Sequence, residues 1–227
     1  DGTNTNLRTT VDISKRDITN SKELPGAKLE IRDADGSLVE GWTSGKVPHT
    51  VRGLELEKEY TLTEKRAPDG YAEAESIVFK LVQEGTEQVN EVYVKSDDDW
   101  AKLDNATIIM QDAPVLDIDK TDIAGNLLPG ATLTIRDAGG EVIDTWVTDY
   151  KTHRVPISDE FIKLSGETKE YIYTLTEDAA PAGFEIAESV QFKVQKADES
   201  VCLFVRKNAD AEWVRADKRL IQMIDEA

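Results

Sequence analysis

Short runs in which apolar and polar residues alternate recur along the chain, separated by turn residues, and almost no stretch shows helical spacing. In the first run Val11, Ile13 and Lys15 share one parity while Asp12, Ser14 and Arg16 take the other, the mark of a half-buried strand. Leu24-Pro25-Gly26-Ala27 reads as a turn into a strand through Leu29 and Ile31, which the hairpin signal Asp33-Ala34-Asp35-Gly36 closes. Further strands are predicted on Tyr60-Thr61-Leu62-Thr63-Glu64, on Ile77 to Leu81, on Val89 to Val94 with a far arm carrying Trp100, and on Ile108 to Asp112. Short strands with turn signals at this spacing predict an all-β sandwich.

The pattern then repeats. Tyr60 to Tyr71, with its Ala67-Pro68-Asp69-Gly70 turn, returns as Tyr173 to Phe184 with Ala180-Pro181-Ala182-Gly183. Leu116, Ile118 and Lys120 repeat the first run, Leu128-Pro129-Gly130-Ala131 the turn, and Trp146 stands where Trp42 stood. Val190 to Val194, Val201 to Val205 with Trp213 beyond it, and Ile221 to Asp225 complete the second copy. Two domains are therefore expected in the 227 residues, at 1–114 and 115–227, each able to bury its own core. Only Ala113 to Asp119, with Pro114 inside it, separates the acceptor strand of one copy from the first lysine of the next, so a stiff connection and a rod are expected. An insertion from Tyr150 to Gly166 distinguishes the second copy, with a short helix or loop predicted over Ser158 to Leu164.

Charge narrows the partners. With 45 acidic against 27 basic residues the formal charge is -18, which argues against nucleic acid or an anionic membrane surface. No apolar run approaches the length of a membrane span, and the opening Asp-Gly-Thr-Asn-Thr-Asn is not a signal peptide, so the chain reads as an internal piece of something longer. Cys202 is the single cysteine, so no intrachain disulfide forms; the protein is either in a reducing compartment or outside the cell with another staple. Cys202 itself sits in an apolar run and is expected in the core. His49 and His153 are expected in loops and lack metal-like spacing, and Asp97-Asp98-Asp99 and the Asp33 turn lack the spacing of a calcium loop. No metal, cofactor or external substrate is expected.

What remains is a set of charged residues on the apolar parity. Glu64 follows Tyr60 and Leu62, Asp112 follows Ile108 and Met110, and Lys15 follows Val11 and Ile13; Lys120, Glu177 and Asp225 do the same in the second copy. If the first and last strands are neighbours, each trio meets in a low-dielectric core, where burial disfavours charge on every member. A neutral amine is a nucleophile and a neutral carboxylic acid can lose water to it, with the glutamate as proton shuttle, giving Lys15–Asp112 and Lys120–Asp225 amides. The alternative is that each trio is a buried salt bridge.

Ser14-Lys15-Arg16-Asp17, Leu24-Pro-Gly-Ala27, Leu29-Glu-Ile31-Arg-Asp33, Tyr60-Thr-Leu-Thr-Glu64, Ala67-Pro-Asp-Gly-Tyr71 and Met110-Gln-Asp112-Ala113 together resemble the Cna protein B-type domains of Gram-positive surface adhesins and pilins. The resemblance covers nearly the whole chain, twice. It implies tandem transthyretin-like, or inverse immunoglobulin-like, sandwiches, each closed by an intramolecular isopeptide bond. Lys15 and Lys120 would be the nucleophiles, Asp112 and Asp225 the acceptors, and Glu64 and Glu177 the catalysts of a single turnover. The family more often uses asparagine as acceptor, so aspartate here implies release of water instead of ammonia. No Leu-Pro-x-Thr-Gly sorting signal or pilin-type polymerisation lysine motif is present. The implied function is a stalk in a cell-wall-anchored extracellular protein. Its partners would be neighbouring domains of the same protein, with a host or matrix ligand reached through a distal domain; it would be monomeric and not inserted in a membrane. The competing function is direct binding of such a ligand, for which Tyr150 to Gly166 is the candidate surface.

Overall fold

In a computed structural model that describes residues 9–86, 88–157, 171–197 and 200–227, the runs of alternating residues are strands. The chain divides into two compact units, Asp1–Ala113 and Pro114–Ala227. In the first, β1 (Thr10–Asp17), β2 (Lys28–Asp33), β3 (Leu38–Thr43), β4 (His49–Arg52) and β5 (Tyr60–Arg66) are followed by β6 (Ile77–Gln83), β7 (Asn90–Ser96), β8 (Asp99–Lys102) and β9 (Thr107–Asp112). In the second, β10 (Val115–Asp122), β11 (Thr132–Arg136), β12 (Val142–Val147), β13 (His153–Pro156) and β14 (Tyr173–Ala179) precede β15 (Val190–Ala197), β16 (Ser200–Arg206), β17 (Val214–Ala216) and β18 (Leu220–Asp225). The helix or loop predicted over Ser158 to Leu164 lies outside the described residues.

Each unit packs a three-stranded sheet, β4-β1-β9 or β13-β10-β18, against a six-stranded one, β3-β2-β5-β6-β7-β8 or β12-β11-β14-β15-β16-β17. The all-β expectation holds. The inward residues of both sheets form one core per unit: Val11, Ile13, Leu62, Phe79 and Met110 in the first, Ile118, Leu175, Phe192 and Met223 in the second. Cys202 is buried on β16, as its apolar surroundings predict.

First and last strands are neighbours, and they run parallel. Lys15 stands opposite Met110 and Asp17 opposite Asp112; in the second unit Lys120 faces Met223 and Asp122 faces Asp225. Two parallel strands need a long crossover to connect them, and here all the other strands of the unit form that crossover.

Two features depart from the patterning. His49 and His153 lie on short antiparallel strands, β4 and β13, instead of loops. Asp217–Arg219 forms a 3-10 turn ahead of β18, with Lys218 and Arg219 both at positive φ, and the Arg219 guanidinium donates to the carbonyls of Val115 and Val201.

The turns behave as their residues require. Gly26 has φ +96° and Gly130 +91°, a conformation that an L side chain resists, and in each case the missing Cβ would face Pro68 or Pro181 at 3.8 Å. The Leu-Pro-Gly-Ala turn therefore packs on the Ala-Pro-x-Gly turn in both units.

Candidate functional site

Alternation on three strands brings three ionisable side chains to one point inside each core. Lys15, Glu64 and Asp112 are 1, 4 and 1 % exposed, and Lys120, Glu177 and Asp225 are 3, 5 and 1 %. Nζ of Lys15 contacts Asp112 Oδ1 and lies 3.1 Å from Glu64 Oε2. Nζ of Lys120 contacts Asp225 Oδ1 and lies 3.3 Å from Glu177 Oε1. All six predicted site residues are thus gathered into two trios of the same geometry.

The glutamate is held from behind. The Pro-x-Gly turn is closed by Tyr71 N–H to Pro68 O and by Phe184 N–H to Pro181 O, each 3.1 Å. It sends the chain back beside β5 or β14, but cross-strand pairing resumes only at Leu62–Ile77 and Leu175–Val190. The intervening stretch lies outside that ladder, and Ala74 N–H donates to Glu64 Oε1 at 2.7 Å and Ala187 N–H to Glu177 Oε2 at 2.6 Å. On the other side of the glutamate the pairing with β2 or β11 slips by a bulge at Lys28/Leu29 or Thr132/Leu133. Bulges of this kind re-aim side chains near functional sites.

The remaining oxygens are unsatisfied in the same way in both units. Glu64 Oε2 and Asp112 Oδ2, and likewise Glu177 Oε1 and Asp225 Oδ2, are fully buried and receive no well-aligned hydrogen bond, although each glutamate oxygen pairs with the lysine ammonium. Buried acceptors left without a donor are costly, and a proton held between the two carboxyls would serve both. Burial pushes Asp112 up to about 7 against the pull of Lys15, and a hydrogen bond with Glu64 adds to the rise. Burial also raises Glu177, against the Ala187 N–H and Lys120. In such a coupled pair the proton belongs to both carboxyls.

Taken together, the arrangement can hold an amine against a carboxyl carbon with an acid beside it and no bulk water. In the second unit a cavity of about 190 Å³ counts Lys120, Trp146 and His153 among its lining residues, room enough for water. Among the described residues no cluster of His, Cys, Asp or Glu is placed to hold a metal.

Two elements of the surroundings escape the sequence patterning. One is the pair of alanine amides. The other is a stack of Trp42 on His49 and of Trp146 on His153, in which His49 Nε2 meets Glu40 at 3.2 Å and His153 Nε2 meets Asp144 at 2.8 Å. The separation of tryptophan and histidine is the same in both copies, and that was the available signal. Of the insertion, residues 150–157 are described, and Tyr150 is exposed there. Among the described residues no helix is long and apolar enough to cross a membrane.

A family model described as SpaA, prealbumin-like fold domain, matches residues 9–97 and again 115–207. No curated protein matches the chain. Among solved structures, the Bacillus anthracis TIE protein is similar over 96 % of this chain and 33 % of its own, at 21 % identity and TM-score 0.35. The shaft pilin SpaA of Lactobacillus rhamnosus GG is similar over 96 % of both chains, at 12 % identity and TM-score 0.32. The C-terminal fragment of the pilus adhesin SpaC from the same organism is similar over 96 % of this chain and 97 % of its own, at 13 % identity and TM-score 0.31. The chain spans about a third of the length of the TIE protein.

Proposed function

The chain belongs to the SpaA prealbumin-like fold domain family, and we propose on that premise that its two domains are stalk modules of a Gram-positive surface adhesin or pilus protein, each closed by an autocatalytic Lys–Asp isopeptide bond. Lys15 and Lys120 are the nucleophiles, Asp112 and Asp225 the acceptors, and Glu64 and Glu177 the proton shuttles. The observation that carries this reading is the repeated trio: in both units the lysine touches the aspartate, the glutamate stands within 3.3 Å of the lysine, and the same two buried carboxyl oxygens receive no well-aligned hydrogen bond.

The proton count favours reaction. An ammonium, a carboxylate and a carboxylic acid hold as many protons as a neutral amine and two carboxylic acids, so the two states interconvert within the site. Burial favours the neutral one, because each charge lost recovers a desolvation penalty. The amine lone pair then attacks the aspartate carbon, whose carbonyl the glutamic acid polarises. An N–H proton passes through the glutamate to the departing hydroxyl, the C–O bond breaks, and an amide and one water result, with the glutamate again an acid. The reaction runs once per domain, so the protein is not an enzyme in the sense of turnover. The location would be extracellular, with neighbouring domains of the same protein as partners. A covalent staple of this kind would also account for a chain with one cysteine.

Intact mass under denaturing conditions tests the proposal. The purified chain is expected about 36 Da lighter than its sequence requires, and Glu64→Ala and Glu177→Ala each to restore about 18 Da. A mass equal to the sequence value would leave the trios as buried salt bridges.

Closure should also depend on pH. Asp112 keeps its proton up to about pH 7, and the reacting carboxyl must be protonated for hydroxide to leave as water. In chain refolded from denaturant before it has reacted, closure of the first unit is therefore expected to be fastest below that value and to slow by about tenfold per pH unit above it. A rate that rises through pH 8 and 9 would contradict an acidic acceptor.

A further inference from the structure

We infer that the backbone N–H groups of Ala74 and Ala187 are positioning groups for amide formation, holding each glutamate so that its acidic proton sits on the oxygen turned to the lysine and aspartate that are to be joined. The inference rests on the stalk reading above and assigns a part of the machinery that no side chain supplies. Ala74 N–H meets Glu64 at 2.7 Å and Ala187 N–H meets Glu177 at 2.6 Å. In both units the other glutamate oxygen faces the lysine, at 3.1 and 3.3 Å, and receives no well-aligned hydrogen bond.

The logic is that of donors and acceptors. A backbone N–H can only donate, so the oxygen it meets is fixed as the accepting one, and the proton of the carboxylic acid is left to the other. The terminal torsion of a glutamate is broad and nearly two-fold. Without the N–H the carboxyl could turn over and present its proton away from the aspartate carbonyl. One fixed donor therefore chooses between two orientations, of which only one can polarise the carbonyl and return a proton to the leaving hydroxyl. The Pro-x-Gly turn and the stretch after it, before pairing with the next strand resumes, place that donor in both copies.

The donor can be deleted without touching a side chain. In the full-length Glu64→Ala chain, where only the second unit can close, Ala187 is replaced by its α-hydroxy acid counterpart. The amide becomes an ester, which keeps the methyl group and loses the N–H. The refolded ester variant is expected to melt cooperatively but to lose its 18 Da about tenfold or more slowly. Its alkaline limb should also move to higher pH, because a donor that favours the ionised glutamate is gone. Ala187→Gly, which retains the N–H, should close well ahead of the ester variant. An ester variant that folds and closes at the unsubstituted rate with an unmoved pH limb overturns the inference. Should the ester at 187 fail to fold, the ester at 74 in the Glu177→Ala chain gives the same measurement in the other unit. A Glu64→Ala chain with its native amide at 187 that never loses 18 Da overturns the stalk reading and the inference with it, whereas loss of 18 Da there beside an unslowed ester variant overturns the inference alone.

Discussion

Glutamine in place of both Glu64 and Glu177 is expected to lower the midpoint of thermal unfolding by about 20–35 °C. Glutamine is nearly isosteric and can still accept the Ala74 or Ala187 N–H, and it leaves Lys15 against Asp112 and Lys120 against Asp225. What it removes is the acidic carboxyl proton that the reaction gives and takes back, and with it the bond. The amides would close loops of 97 and 105 residues. By analogy with disulfides, closing a loop of about 100 residues restricts the unfolded chain by about 4.7 kcal/mol. For a domain of 60–100 residues each kcal/mol moves the midpoint by about 4–8 °C, which gives the range. Scanning calorimetry beside the mass measurement is the check. A fall of only a few degrees would mean that the strands were never joined and that the substitution merely perturbed a buried ion pair.

The second large effect is mechanical. β1 and β9 are parallel, so tension entering at the start of β1 and leaving at the end of β9 loads their ladder in shear, and β10 and β18 are loaded alike. With the amide in place, force passes from Lys15 directly to Asp112 and then leaves the unit, so the residues between them carry none of it. No unfolding step is expected from the unsubstituted chain when single molecules are stretched by their ends. In Lys15→Ala the chain between the two positions, 97 residues apart in sequence, is released. At about 3.3–3.6 Å per residue it adds a step of roughly 300 Å, with the second unit still silent. A step of that size from the unsubstituted chain would show that the load is not carried covalently.

Much of the site was legible from parity alone, because the two-residue period of a strand assigns each side chain to a face without any knowledge of the partner strand. Lys15, Glu64 and Asp112 follow apolar residues of the same parity, and the structure buries every one of them with those neighbours. β4 was not legible, since it has four residues of which only Val51 is buried, too short a run to alternate visibly. Its loss hid the Trp42–His49 stack, which depends on β3 and β4 meeting across the edge of the sandwich. The turn before β18 gave no signal either, because Lys218 and Arg219 take positive φ where glycine or asparagine would have announced it. Nor could any pattern point to Ala74 and Ala187, since every residue but proline carries the N–H they contribute and only the path of the chain aims it.

The parallel pairing of first and last strands also bears on how such a domain would survive a protease. Lys15 and Asp112 lie near the two ends of the first unit, and Lys120 and Asp225 near those of the second. Joined there, each domain is a covalent ring with two short tails, and the turns and hairpins lie within the ring. A single cut in any of those loops opens the ring without dividing the molecule: the nicked chain keeps its ends attached through the amide, and two cuts are needed before a fragment can leave.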